Sequence, residues 1–170
     1  VSMMHQSESL GYAAGDGYQA VELKYDGGEL SMVILLPETD GFEAFENALD
    51  GATLKKIIGD LKSNTVNLTM PKFEFDSEFS LKPTLSALGM PIAFSDAADF
   101  SGMTGQRDLL ISDVVHKAFV SVDESGTEAA AATGVIMDLT SAPMDDPVTM
   151  TIDRSFIFLI RDIATGSILF

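Results

Sequence analysis

The feature that most constrains this chain is the run Ser31 to Leu36, which carries no charge and is almost entirely apolar. The run has the length of a β-strand and is far shorter than the roughly 18 apolar residues of a membrane span. Asp26-Gly27-Gly28 stands before it as a strong turn signal, and Tyr18 to Leu23 alternates by two before that turn. The pattern predicts a β-hairpin whose second strand is buried on both faces and ends at Pro37.

The rest of the chain mixes short helices with further strands. The first predicted helix covers residues 42–49. The second covers residues 53–61, is capped by Thr53, and turns the stripe Leu54, Ile57, Ile58 and Leu61 to the core. The third is short and capped by Ser80, with Leu81, Leu85 and Leu88 facing inward. The predicted strands are residues 66–70, 109–123 and several between 147 and 169. These elements predict an α+β chain dominated by antiparallel strands.

The charge balance argues against two classes of partner. The sequence holds 26 acidic and 10 basic residues, for a net charge of -16. Such a chain is repelled by a phosphate backbone and by an anionic membrane, so we expect neither nucleic acid nor membrane as a partner. An acidic surface favours solubility, and the steering of a basic partner is the alternative interpretation.

The sequence offers little for catalysis or metal binding. It has two His, no Cys and no Gly-x-Ser-x-Gly motif, which argues against a Ser-His-Asp triad, a thiolate nucleophile, a disulfide and a Cys-based zinc site. Asp145-Asp146 is an acidic pair without neighbouring ligands, whereas calcium takes about six to eight oxygens. We therefore expect no enzyme activity, no cofactor and no metal.

The segment from Glu124 to Gly134 is unusual because an alanine run lies between two β-prone stretches. Alanine favours helix, but this run leads into Val135-Ile136-Met137. In an extended conformation one side of the segment would present only small or apolar residues, namely Thr127, Ala129, Ala131, Thr133 and Val135. Glu128 would face the other side. The spacing fits a surface helix or linker as well as it fits a segment that enters a sheet as an extra strand.

Several motifs resemble those of the serpins, in the family's order and over nearly the whole chain. They are Val1-Ser2-Met3-Met4, Leu23-Lys24-Tyr25-Asp26-Gly27-Gly28, Met70-Pro71-Lys72-Phe73, residues 81–90, Ala98-Asp99-Phe100-Ser101-Gly102, residues 114–133, and Asp153-Arg154-Ser155-Phe156-Ile157-Phe158. The resemblance implies a serpin-like multi-sheet α+β fold. Residues 1–170 would form the C-terminal portion of one such domain, with a reactive-centre loop at about 124–147.

The resemblance also implies a mechanism. A serpin inhibits serine proteases, and in some cases cysteine proteases, as a suicide substrate. The protease attacks the exposed loop and forms an acyl-enzyme, and the cut loop then inserts into the central sheet as a new strand. The native fold is metastable, so its stability is kinetic, and insertion releases the stored energy.

Residue roles follow from the same resemblance. Glu124 and Gly126 match the proximal hinge, where the loop leaves its strand. The hinge continues through the small residues typical of inhibitory members, which here are Thr127, Glu128, Ala129, Ala130, Ala131 and Ala132. Lys72 matches the lysine that pairs with the hinge glutamate, here Glu124, with a plain solvated lysine as the alternative. His116 matches the histidine at the sheet opening, where the family role is a hydrogen bond.

Family loop spacing, counted from Gly126, implies that the cut bond is Thr140-Ser141. The bonds after Leu139, Met137 and Met144 stay open as alternatives, because the segment from the bond to Phe156 is longer than the usual serpin loop. From residue 127 to 153 there is no Lys or Arg, whereas a trypsin-like protease needs a basic residue at the cut. We therefore expect a target serine protease that is not trypsin-like.

The resemblance begins partway through a serpin, so the N-terminal helices and several sheet strands are expected outside this chain. Bare sheet edges and apolar faces invite association, and the missing N-terminal half or a second copy is the expected partner. The expected location is extracellular. The alternative function is a serpin-fold carrier, storage protein or chaperone that does not inhibit, since such members often have bulky, charged or proline residues in the hinge.

Overall fold

The computed structural model describes residues 1–124 and 146–170, which form two compact units, Val1–Lys72 with Val122–Phe170, and Phe73–Ser121. The strands are β1 Met3–Gly15, β2 Tyr18–Lys24, β3 Leu30–Pro37, β4 Lys62–Pro71, β5 Phe73–Ser80, β6 Val115–Val122, β7 Val148–Thr151 and β8 Ile157–Asp162. The helices are α1 Phe42–Ala48, α2 Gly51–Asp60, α3 Lys82–Ala87 and α4 Ser101–Thr104, with a 3-10 turn at Ile92–Phe94. The predicted α+β class, with more than one sheet and a few short helices, is confirmed.

The first unit is built on a six-stranded sheet with the order β7-β4-β1-β2-β3-β8. Neighbouring strands run antiparallel except β7, which lies parallel to β4. The predicted hairpin is β2 and β3, paired from Tyr18↔Pro37 to Lys24↔Ser31. Gly27 and Gly28 turn the chain at φ values of 85° and 68°, which glycine adopts without steric cost.

Strand β3 is the buried centre of this sheet. It lies between β2 and β8, and every residue after Leu30 is buried. The core cluster on one face of the sheet consists of Ala13, Ala20, Val33, Leu35, Ile57 and Leu159. Burying an aliphatic side chain of this size contributes about 1.5–3 kcal/mol, so the apolar run is a main source of the sheet's stability.

Helix α2 packs its apolar stripe on this cluster. Ile57 belongs to the cluster, and Leu54 and Leu61 pack against it, while Ile58 lies outside it and is half-buried. The prediction that Thr53 caps the helix is wrong, because Asp50 is the cap. Its carboxylate accepts a hydrogen bond of 2.7 Å from the Thr53 backbone N–H, which satisfies one of the free amides at the helix start.

The longest strand, β1, was not predicted from the sequence. The side chains from His5 to Ser9 are all exposed, so no apolar alternation marks this part of the strand. Backbone pairing with β4 holds it in place, in a register that runs from Met3↔Pro71 to Tyr12↔Lys62. Strand β4 extends at both ends beyond the predicted residues 66–70 for the same reason.

The second unit contains the two-stranded sheet of β5 and β6. The prediction of a strand from Leu109 is wrong for residues 109–114, since β6 begins at Val115. The Asp113 carboxylate accepts hydrogen bonds from the Val114 N–H at 2.8 Å and from the Ser80 hydroxyl at 2.5 Å. Such side-chain bonds compete with a regular strand ladder and explain the late start of β6.

Helix α3 in the same unit differs from its predicted form. Leu81, not Ser80, is the cap residue, although the Ser80 hydroxyl accepts a 3.3 Å hydrogen bond from the Lys82 N–H. Leu81 and Leu85 are half-buried, but Leu88 is 80% exposed among the described residues, so its predicted inward position is wrong. The helix ends before Gly89, which has a φ of 108° and allows the chain to turn away.

Within the ranges the structure describes, no helix combines the length and the apolar character needed to cross a bilayer.

Candidate functional site

Lys72 follows the last residue of β4, at the point where that strand pairs with the start of β1. Its backbone N–H donates a 3.1 Å hydrogen bond to the Ser2 carbonyl, one step beyond the pair Met3↔Pro71. This bond fixes the main chain at Lys72, while the side chain stays 42% exposed. The ammonium group is therefore held near a fixed point but remains in contact with solvent.

Glu124 lies two residues after the end of β6, and its carboxylate forms an ion pair with the Lys72 ammonium. Both residues belong to the first unit. The hydrogen bond from Lys72 holds the pKa of the Glu124 carboxyl below its usual value. The structure thus brings together the two residues that the sequence predicted as a pair, at the last described residue before position 125.

His116 lies in the second unit, on β6. Its ring centroid is 5.2 Å from that of Phe79 on β5. Further cross-strand contacts run from Lys117 to Glu78 at 2.7 Å and from Ser121 to Glu74 at 3.2 Å, which shows that β5 and β6 run in opposite directions. Among the described residues the neighbour of His116 is thus an aromatic ring, with no hydrogen-bond partner for the imidazole.

One edge of β6 has no strand beside it within the described ranges, since its sheet there consists of β5 and β6 alone. An unpaired edge presents a row of free N–H and C=O groups to any strand that lies alongside. The edge belongs to the strand that ends two residues before Glu124. The free backbone groups along this edge of β6 suit the addition of one more strand.

After the residues that the structure leaves undescribed, the next strand of the first unit is β7. Val148 pairs with Val66 on β4, and the Met150 and Ile152 side chains are fully buried. The Arg154 Nε–H then donates a 2.7 Å hydrogen bond to the Pro37 carbonyl. The far end of the predicted loop is therefore anchored by strand pairing, by burial and by a charged hydrogen bond.

The remaining predicted site residues lie outside the described residues. They are the hinge positions Gly126, Thr127, Glu128, Ala129, Ala130, Ala131 and Ala132, and the cut-bond positions Met137, Leu139, Thr140, Ser141 and Met144. Among the residues that the structure does describe, no three His, Asp or Glu side chains lie close enough together to hold a metal ion.

Sequence reasoning missed a buried polar network in the six-stranded sheet. Glu22 on β2 accepts hydrogen bonds from the Ser31 hydroxyl at 2.7 Å and from the Arg161 guanidinium at 2.6 Å. Burial alone would raise the pKa of Glu22, but the two hydrogen bonds and the charge of Arg161 outweigh it and hold the pKa below its usual value. The sequence signal that could have revealed this network is a charged residue inside each of two strands, Glu22 in β2 and Arg161 in β8.

Comparison with known proteins gives a consistent picture. The family described as "Serpin (serine protease inhibitor)" matches over residues 1–170. An uncharacterized serpin-like protein of Thermococcus kodakarensis is 42% identical over 100% of this chain and 40% of its own length. Leukocyte elastase inhibitor A of Mus musculus is 40% identical over 100% of this chain and 47% of its own length. The chain thus spans less than half the length of these relatives.

A solved structure has a similar fold. Thyroxine-binding globulin in complex with thyroxine superposes with a TM-score of 0.82 at 33% identity. The match covers 98% of this chain and 44% of the globulin chain.

Proposed function

We propose, from the premise that this chain belongs to the serpin family, that the whole protein inhibits serine endopeptidases as a suicide substrate. In this mechanism the protease cuts the segment that follows Glu124, and the cut segment adds to a sheet as a new strand. Each inhibitor molecule is then consumed in a single reaction and does not turn over as an enzyme does. A protease inhibitor among the relatives supports the proposal.

The observation that carries the proposal is the composition of the hinge. Thr127 and Ala129 to Ala132 contain no bulky, charged or proline side chain. Small residues enter a crowded sheet at low steric cost, whereas a buried charge carries a large desolvation penalty. The Lys72–Glu124 ion pair supports the same interpretation, because it joins the start of this segment to the end of β4.

A second candidate function is a binding or carrier protein of the serpin fold. The observation that favours it is the close match to a globulin solved with thyroxine. A carrier needs no strand insertion, so its hinge has no reason to stay small. The hinge of this chain therefore favours inhibition.

The direct test is to mix the whole protein with pancreatic elastase, chymotrypsin, subtilisin and trypsin. We expect a complex that survives SDS with at least one of the first three, and none with trypsin, because residues 127–153 contain no Lys or Arg. The mass of the C-terminal peptide released on denaturation identifies the cut bond and decides between Thr140-Ser141 and the bonds after Met137, Leu139 and Met144. Cleavage without any stable complex would favour the carrier.

Hinge variants separate strand insertion from simple cleavage. In an extended strand Thr127 and Glu128 face opposite sides. Thr127→Arg should turn the protein into a substrate that is cut without forming a complex, because the inserted strand would have to bury a charge. Glu128→Arg is the matched control and should still form the complex. Equal behaviour of the two variants would contradict insertion of this segment.

A further inference from the structure

The strand β4 carries a modification motif that protease inhibition does not use. Of the three asparagines in the sequence, only Asn67 is followed by the pattern x-Thr, as Asn67-Leu68-Thr69. This is the acceptor motif for N-linked glycans, because oligosaccharyl transfer requires a hydroxyl residue two positions after the asparagine. We propose that Asn67 is an N-glycosylation acceptor and that the folded sheet carries the glycan on its exposed face.

The geometry of the Asn67 amide fits this role. The side chain is exposed, and its Oδ1 accepts a 2.6 Å hydrogen bond from the Ser7 hydroxyl on β1. The amide is therefore turned so that Nδ2, the atom that would bear the sugar, has no partner among the described residues. Leu68 between the two motif residues is buried, which fixes Asn67 and Thr69 on the outer face of the strand.

The surface around Asn67 suits a neutral carbohydrate. Strand register and alternation place eight uncharged residues on this outer face, three from β1, three from β4 and two from β7, namely His5, Ser7, Ser9, Thr65, Asn67, Thr69, Thr149 and Thr151. Cross-strand hydrogen bonds join these side chains, such as His5 to Thr69 at 2.9 Å. A chain with a net charge of -16 has here a surface of hydroxyl, amide and imidazole groups.

The covalent step is a single displacement. The Asn67 amide nitrogen attacks C1 of a lipid-linked oligosaccharide, and a new N–C1 bond forms as the bond from C1 to the lipid phosphate breaks. The bonding electron pair leaves with the lipid phosphate, and the amide proton passes to a base of the transferase. The proposal does not depend on protease inhibition. It requires only that the chain passes through a compartment that holds this enzyme.

The test is the intact mass of the whole protein secreted from cultured animal cells, with peptide mapping around residue 67. We expect one glycan at Asn67, which peptide N-glycosidase removes from the folded protein because the side chain is exposed. Thr69→Ser keeps the motif and should keep the glycan. Thr69→Ala and Asn67→Gln should each lose it.

A positive control uses the exposed loop that contains Asp99. Asp99→Asn creates a second motif with Phe100 and Ser101, at a side chain that is 42% exposed. An unmodified Asn67 in the secreted protein overturns the proposal, and modification of the control in the same cells would show that the fault lies at Asn67 itself. A glycan that the enzyme releases only after denaturation would contradict the exposed position of the site.

Discussion

Glu22 and Arg161 lie on β2 and β8, on either side of β3, and form an ion pair across it at 2.6 Å with only 9% and 11% of their side chains exposed. Ser31 on β3 lies between them and donates to the same carboxylate oxygen. Removing two charges from water is costly, and their mutual attraction offsets that cost only while both are present. The network therefore matters most when one partner is missing.

We predict that Glu22→Ala lowers the free energy of unfolding of the whole protein by about 3–5 kcal/mol, because it leaves the Arg161 guanidinium buried without its carboxylate. Urea denaturation followed by circular dichroism measures the change. The control is the double variant Glu22→Leu with Arg161→Met, in which apolar side chains replace both charges, and it should recover most of the loss. A double variant as unstable as the single one would contradict this account.

The second ion pair, Lys72–Glu124, is exposed and should act on position more than on stability. The pKa of Glu124 is lowered in the folded state. The contribution of the pair to stability is therefore present above the unfolded-state pKa of about 4.3, and it is lost as the pH falls through the folded-state pKa. We predict that Lys72→Met raises the pKa of Glu124. A carboxyl NMR titration measures the shift, and an unchanged pKa would show that the pair is absent in solution.

At the scale of elements, the burial of helix α2 rests on one side chain more than on its neighbours. We predict that Ile57→Ala costs about 2–5 kcal/mol of stability, because it opens a cavity in the core cluster. Ile58→Ala is the matched control on the same helix. It is half-buried and outside the cluster, so it should cost clearly less. Equal losses in thermal unfolding of the two variants would contradict this packing.

Elements with an apolar pattern could be predicted from the sequence, and elements without one could not. The hairpin of β2 and β3 was predicted because its second strand is buried on both faces. The first part of β1 was missed because His5 to Ser9 are exposed, and only long-range backbone pairing with β4 holds them as a strand. Leu88 was placed inward because helical spacing does not reveal whether a neighbouring element covers that face.

The candidate site likewise contains contacts that could be predicted from the sequence and contacts that could not. Lys72 and Glu124 were paired through family resemblance, and the structure brings them together. The partner of Arg161 could not be predicted, since Glu22 lies far from it in the chain and the contact depends on the order of three strands. A hydrogen-bond partner for His116 and the position of the cut bond stay predictions.

At the scale of the whole molecule, the second unit presents apolar side chains to solvent in this chain. On β5 and β6 they are Phe75, Phe79, Val115 and Phe119, with exposures of 43%, 51%, 54% and 65%. Phe75 and Phe79 lie on one face of this two-stranded sheet, and Val115 and Phe119 lie on the other. Exposed apolar side chains on both faces mark surfaces that other elements or other chains cover. The chain spans less than half the length of its relatives, and in those longer chains further residues are available to cover such surfaces.

We predict that residues 1–170 produced alone associate and form no SDS-stable complex with a protease. Sedimentation velocity measures the association. Phe119→Lys should reduce it, because it replaces one of these exposed apolar side chains with a charge. A monodisperse monomer that inhibits elastase would contradict both the expected association and the need for the rest of the domain.

The position of β8 beside β3 has a consequence for how the protein is made. Leu30 pairs with Asp162, so about 130 residues must leave the ribosome before the outer edge of β3 finds its neighbour. At a translation rate of about 5–20 residues per second, that edge stays unpaired for about 7–26 s. Throughout that interval the most apolar strand of the nascent chain has one bare side, which makes it the natural binding point for a chaperone and the first place where two polysome-bound copies would misassemble.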